Sequence, residues 1–372
     1  MSKNSFGTVF KVSTFGESHG YALGCIIDGV PAGIPIDIEK IQSALDRRKP
    51  GQSIGGQNNP SVTARKEDDI VEILSGVFEG KSQGTSIGLI IRNTSQHSKD
   101  YSNLKNTFRP GHADYSYYEK YGFRDYRGGG RSSGRETAAR VAAGEIARQV
   151  LEYFCSDVKI VAYTQKAAGI SIEKVDYSQI EQNPLRAPDN CAAEKMNARI
   201  DEIRKNGDSA GGIIACSVTG IPAGLGQPVF DKLDAVLAHG IMSVGAIKGI
   251  EFGSGFDCVD SLGSQNNDVM RSSENGNSVS FETNNAGGIL GGISNGNEIF
   301  FRVAVKPVPS IFKTQKTVCV NEDGKFYDTD LTIEGRHDVC LCPRIVPVIE
   351  AMTSITLVDL FLQNLTSNAN IL

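Results

Sequence analysis

CIIDGVPAGI at 25–34 and CSVTGIPAGL at 216–225 repeat one local plan about half a chain apart. In each, a run rich in β-branched residues closes on Gly-[Val/Ile]-Pro-Ala-Gly, a turn sequence, and a short polar connection follows. The next residues carry apolar positions three and four apart, which predicts an amphipathic helix in both copies. The first is Asp37–Arg47, with Ile38, Ile41 and Leu45 on one face; the second is Asp231–His239, with Leu233, Val236 and Leu237. An Asp near each start suits the helix cap and dipole. A strand–turn–helix unit used twice predicts one body of 372 residues with related halves near 1–190 and 191–372.

Further helices are expected over Glu136–Phe154, capped by Ser132 or Ser133, over Cys191–Lys205, and from about Val346 to Leu365. Strand-like runs fall at Val71–Val77, Thr85–Arg92, Lys159–Thr164, Gly212–Thr219, Gly249–Phe252 and Ile299–Val305. Helices and strands do not alternate strictly, which argues against a doubly wound parallel sheet. The expected class is α+β: a single large β-α-β sandwich-like domain with two antiparallel sheets around a helical layer. Pro50–Pro60 and Gly263–Asn285, rich in Gly, Asn, Gln or Ser, read as long loops, either lids or surface.

The eight cysteines form no CxxC pair, and Cys340 and Cys342 are too close for a zinc knuckle. The N-terminus has neither signal- nor transit-peptide character, and VPVIEAMTSITLVDLFL is interrupted by Glu350 and Asp359 and too short to span a bilayer. A cytoplasmic protein without a membrane partner is expected.

Charge is unevenly placed. Residues 101–140 hold eight Lys/Arg against four Asp/Glu inside a chain of net −5, so the remainder is about −9. RPGHAD (109–114) and RDYRGGGRSSGRETAAR (124–140) carry most of it. Local positive charge in an acidic chain suits a focused anion site better than a nucleic-acid coat. The Arg131-Ser132-Ser133 step opens a long helix, where free N–H groups and Arg135 could cradle an anion. GGGRSSG lacks the Lys-Ser/Thr ending of a Walker loop, and GGILGG at 287–292 has the wrong spacing for a dinucleotide fingerprint. Of the five histidines, His19 and His112 each sit beside glycine and an ionisable neighbour. An ordinary pKa of about 6.5 lets either exchange a proton near neutrality.

Long polar strings make the chain resemble the chorismate synthase family from near its start to about Ala351. They include TFGESHG (14–20), LDRRKPGQS (45–53), GTSIGLIIRN (84–93), FRPGHADYSY (108–117), KYGFRDYRGGGRSSGRETAARVAAG (120–144), GIPAGLGQPVFDKLDA (220–235), NNAGGILGGISNG (284–296), KPVPS (306–310) and GRHDVC (335–340). The resemblance implies conversion of 5-enolpyruvylshikimate 3-phosphate to chorismate and phosphate, a 1,4-elimination that needs reduced FMN without net redox change. It implies that one of His19 and His112 protonates the reduced flavin while the other assists phosphate departure. Asp338 would help remove the C6 proton. Ser18, Arg48, Arg109, Arg135 and Arg336 would hold the substrate anions. For FMN the corresponding positions are Arg48, Arg131, Ser132, Ser133, Gly245, Ala246, Gly291, Lys306, Pro307, Val308, Pro309, Ser310 and Arg336. A homotetramer is implied. NADPH enters only for flavin reduction, intrinsic in some relatives and supplied by an external flavin reductase for others. Departures from the family pattern are Gly245 in place of Asn, Gly134 in place of Ala, KPVPS in place of KPTSS, HDVC in place of HDPC, and Ile54 where a basic residue is usual. The competing readings are a basic-patch polyanion-binding module and an ordinary flavin oxidoreductase.

Overall fold

The repeated unit supplies the middle strand of each of two five-stranded sheets in a computed structural model, which describes residues 3–50, 59, 61, 68–94, 104–273, 276, 279–333, 335 and 337–369. The first sheet runs Ser5–Phe6, Lys11–Gly16, Ala22–Asp28, Ile87–Arg92, Val71–Ser75 in spatial order. The second runs Ile170–Ser171, Lys159–Ala167, Gly212–Thr219, Ile299–Val305, Ile247–Phe252. Every pairing in both is antiparallel, and the class is α+β. In each sheet the repeated strand lies between an earlier strand and a later one, with the strand after the amphipathic helix at the far side.

Side-chain alternation explains the first sheet. Leu23, Cys25 and Ile27 point inward from one strand and Ile87, Leu89 and Ile91 from its neighbour, while Ile26 is exposed. Two long helices cover the sheets. Thr137–Phe154 lies against Ala22–Asp28 and Ile87–Arg92, whereas Cys342–Asn364 lies against Lys159–Ala167 and Gly212–Thr219. The helices also pack on each other, so closely at Gly144 that an added Cβ would stand 2.3 Å from the Ala351 Cβ. Close approach of two backbones, rather than chain flexibility, accounts for glycine there.

Cys342–Asn364 starts four residues earlier than its apolar pattern suggests, because Pro343 is tolerated in a first helical turn that lacks N–H partners in any case. At 23 residues it is long and apolar enough to cross a membrane, which corrects the expectation from length. Its apolar stretch is 94% buried inside this protein instead. Its two acids are paired within the fold. Glu350 accepts from Arg47 Nη1 at 2.5 Å and from the Ala162 N–H at 3.1 Å. Asp359 accepts from three consecutive N–H groups, those of Thr8, Val9 and Phe10, at 3.0, 2.7 and 2.9 Å.

Asp37 caps Ile38–Arg48 through the N–H groups of Glu39 and Lys40. The second amphipathic helix is Leu233–Met242 and has no side-chain cap, since Asp231 falls in the preceding 3-10 turn Val229–Asp231. Gly263–Asn285 is not wholly a loop: it contains the short helix Gly263–Asn266 and a hairpin pairing Met270–Ser272 with Val279–Phe281. Pro50–Pro60 lies almost entirely outside the described residues. The hairpin of Gln315–Val320 and Phe326–Leu331 lacks an apolar alternation, most of its side chains being exposed or half-buried, and its strands are not evident from sequence.

Gly144→Ala separates packing from propensity. Alanine gains about 1 kcal/mol in a helix interior, but overpacking costs about 1–3 kcal/mol. The contact with Ala351 decides, so the denaturant midpoint is expected to fall; a rise would show that the two helices can separate freely.

Candidate functional site

Gly128, Gly129 and Gly130 follow one another with φ of 65°, 87° and 55°. This left-handed run is strained for any residue with a Cβ, and here the missing side chains also leave room for two imidazoles. A Cβ on Gly128 would lie 2.7 Å from His19 Nε2 and 3.1 Å from Ser18 Oγ; one on Gly129 would lie 3.1 Å from His112 Cε1. His19 and His112, far apart in sequence, therefore meet at adjacent residues of one loop. Ser132 Oγ donates to the Gly129 carbonyl at 2.7 Å and tightens that loop.

His112 is set by Asp114, a residue the sequence reading missed. The two are 2.9 Å apart at Nδ1 and Oδ1, so the carboxylate accepts a hydrogen bond from the Nδ1–H and Nε2 is left as the exchanging nitrogen. Arg109 holds the same carboxylate at both oxygens, Nε to Oδ2 at 2.7 Å and Nη2 to Oδ1 at 2.9 Å, and Arg124 reaches Oδ1 at 3.3 Å. Burial alone would raise the Asp114 carboxyl, but hydrogen bonds from Arg109 and His112 hold it far below the usual carboxylate range. Burial pushes the His112 imidazolium below its ordinary value, against the Asp114 hydrogen bond, and the Arg109 and Lys306 cations act in the same direction as burial.

A second carboxylate absent from the sequence reading is Asp69, at φ 49° and 2% exposed. Arg48 Nη2 donates to its Oδ2 at 2.8 Å and Arg135 Nη1 to its Oδ1. Burial raises this carboxyl, and the two guanidiniums more than offset that, leaving it below its ordinary value. Arg48 is also close to the Gly134 carbonyl and Thr137 Oγ1, both at 3.4 Å, which ties it to the start of the Thr137–Phe154 helix. Ser133 caps the short 3-10 turn Gly134–Glu136 ahead of that helix by accepting from the Arg135 N–H. Arg135 Nε donates to Asn93 Oδ1 at 3.1 Å. Asp338 joins from the other end of the chain: Arg344 Nη1 donates to it at 2.6 Å, while Arg344 Nε approaches the Arg48 carbonyl at 3.4 Å.

The second half contributes Lys306, whose Nζ donates to the Gly111 carbonyl at 2.5 Å, next to His112. Its backbone N–H bonds the Ala246 carbonyl at 2.9 Å, which brings Gly245 and Ala246 to the same strand end. Val308 and Pro309 are joined through their carbonyls to Ser209 and Gln315, and Ser310 is buried. Pro307 crowds Gly211, with 3.1 Å between its Cδ and the position of an added Cβ. Gly245 and Gly291 face open space: a Cβ on either meets nothing within 4 Å. Gly291 sits in the turn between Ile289–Leu290 and Ile293–Ser294. Arg336 lies outside the described residues.

Several cations of the basic segment are committed to the fold. Arg131 donates to Thr14 Oγ1 at 2.7 Å and to the Gly16 carbonyl at 3.2 Å. Arg124 lies over the Phe108 ring and bonds the Thr107 carbonyl. Arg127 pairs with Asp125, and Arg140 with Glu136 and Ser243. Such internal pairing leaves a weak case for a general polyanion-binding coat.

Known proteins match the chain over nearly its whole length. The family profile described as chorismate synthase matches residues 10–362. The chain is 52% identical over 366 residues to a chorismate synthase of Cytophaga hutchinsonii, covering 97% of this chain and 98% of that one. It is 50% identical over 371 residues to one of Christiangramia forsetii, covering 99% of each. A crystal structure titled as chorismate synthase superimposes with a TM-score of 0.74 at 31% identity, over 97% of this chain and 94% of the other.

Asp69→Ala removes the buried carboxylate that Arg48 and Arg135 share, and breaking a buried pair on one side costs about 3–5 kcal/mol. Denaturant titration is expected to register a loss of that order, with Asp69→Asn losing less. A loss no greater than about 1 kcal/mol, as for an exposed pair, would mean water or another group neutralises Arg48.

Proposed function

The chain belongs to the chorismate synthase family, lyases of the shikimate pathway that turn 5-enolpyruvylshikimate 3-phosphate into chorismate and phosphate, and we propose that the Gly128–Gly130 loop is where this chain does so. The observation that carries this reading is the meeting of His19 and His112 at adjacent glycines. The substrate is an anion with one phosphate and two carboxylates, and guanidinium groups suit such groups through paired donors. In our reading Ser18, Arg48, Arg135 and Arg336 form its binding side. Arg109 adds positive potential while its own donors hold Asp114, which in turn orients His112.

The family calls for reduced flavin, and the donor set fits a phosphate-bearing one. Gly245 and Gly291 leave open space, Lys306 supplies a cation beside His112, and Ser132, Ser133 and Ser310 carry hydroxyls on the same segments. We assign FMN to Arg48, Arg131, Ser132, Ser133, Gly245, Ala246, Gly291, Lys306 through Ser310, and Arg336. When bound, the reduced cofactor lends electron density as the C3–O bond breaks and takes it back, so the overall reaction is redox-neutral. His112 Nε2 exchanges a proton, because Nδ1 is held by Asp114. His19 is the second acid, and Asp338 assists removal of the C6 proton. The reading extends to a homotetramer in the cytoplasm, with NADPH serving only flavin reduction. We also read the matching strand orders as a duplication in a layered β-α-β body. In the second sheet Lys159–Ala167 pairs with Gly212–Thr219.

Burial keeps His112 below its ordinary pKa, so in the free protein it is neutral at pH 7 and accepts a proton only on acidification. A triply anionic guest favours the imidazolium and raises that value. The His112 Cε1–H resonance is therefore expected to titrate below 6.5 alone and higher with substrate, with proton uptake on binding; an unchanged titration counts against an acid role.

His112→Ala is expected to slow phosphate release about 10²–10⁴-fold while FMN affinity changes little, measured anaerobically with reduced FMN and the phosphorylated substrate. Equal turnover would remove His112 from the chemistry. Net oxidation of the flavin in the same assay would favour an ordinary oxidoreductase.

A further inference from the structure

Asn93 ends the Ile87–Arg92 strand, inside the GTSIGLIIRN string, and the reading of the site has given it no task. Its amide meets both parts of that site. Nδ2 donates to the Glu17 carbonyl at 3.1 Å and the Gly20 carbonyl at 2.9 Å, the two carbonyls that bracket Ser18 and His19. Oδ1 accepts from Arg135 Nε at 3.1 Å. The Asn93 N–H also bonds the Tyr21 carbonyl at 3.2 Å. Two carbonyls on one side and a guanidinium N–H on the other admit only one orientation of the amide, since the NH₂ only donates and the oxygen only accepts.

The consequence is mechanical. The Glu17–Gly20 turn has its own bond from the Gly20 N–H to the Glu17 carbonyl at 3.1 Å, and Asn93 Nδ2 adds one to the carbonyl at each of its ends. Arg135 already directs Nη1 to Asp69, which sets the plane of its guanidinium at one end. Asn93 fixes Nε, and through the same side chain it fixes the turn that carries His19. We propose that Asn93 is a positioning residue that sets the spacing between the proton-bearing His19 turn and the anion-binding guanidinium of Arg135. The inference rests on the roles given above to His19 and Arg135.

Two variants separate this coupling from a merely structural contribution. Asn93→Asp has the same shape, keeps an acceptor for Arg135 Nε and loses both donors to the turn. Asn93→Ala loses both sides. Steady-state turnover of 5-enolpyruvylshikimate 3-phosphate with reduced FMN is measured for each, beside His19→Ala and Arg135→Ala. Misplacement of a catalytic group by about 1 Å costs up to about 100-fold. Asn93→Asp is therefore expected to lower kcat about 10-fold or more with KM near that of the parent chain. Asn93→Ala is expected to lower kcat and also raise KM. If both Asn93 variants match the parent, or both shift kcat and KM in the same proportion, the coupling is overturned. If His19→Ala and Arg135→Ala retain full activity, the assignment of those two residues fails first and the Asn93 inference with it. Should Asn93→Asp not fold, Asn93→Ser takes its place, losing the reach to Arg135 and predicting the Asn93→Ala pattern.

Discussion

Carboxylates in apolar surroundings hold this molecule together. Glu350 and Asp359 project from the long apolar helix Cys342–Asn364, and each is buried. Unpaired, either would cost several kcal/mol or take up a proton. Each instead meets a set of donors from a different part of the fold: Glu350 the Arg47 guanidinium and the second sheet, Asp359 the turn that enters the first sheet. The two sheets are thereby referred to one helix at two fixed points. Packing of Gly144 against Ala351 then brings the partner helix into register, and with it the residues that begin that helix.

Those residues form the proposed site. The Gly128–Gly130 loop and the Arg135 turn lie immediately ahead of Thr137–Phe154, so their position follows from where that helix is seated. Around them the same device recurs on a smaller scale. Asp114 gathers Arg109, Arg124 and His112; Asp69 gathers Arg48 and Arg135. Each acid stays ionised because its neighbours are cations, and each cation keeps its orientation because the acid does not move. Preorganisation of this kind matters for a reaction in which charge shifts rapidly among a leaving phosphate, a ring and a cofactor.

Much of this could be read from the residues in order. The repeated turn located both central strands, since GxPAG after a β-branched run is a local signal. The histidines stood out because they sit in glycine-rich segments without apolar periodicity. The acids at 69 and 114 were harder. Asp114 follows His112 by two residues in GHAD, a cue that was present and not used. Asp69 lies in KEDD, where nothing local distinguishes it from Asp68, and its importance comes from Arg48 and Arg135 reaching it across the fold. Likewise, the committed arginines at 124 and 140 are indistinguishable by sequence from those given to the proposed site. Long-range pairing decides such cases, and charge counts do not contain it.

The bonds from Thr8, Val9 and Phe10 to Asp359 join groups 351, 350 and 349 positions apart. A chain emerging from the ribosome completes its opening hairpin only after its final helix has been made. Until then the turn that joins the first two strands lacks its Asp359 anchor, although Thr137–Phe154 already covers the sheet's inner face. For this protein that restraint joins segments at opposite ends of the sequence, and contacts of such separation close slowly.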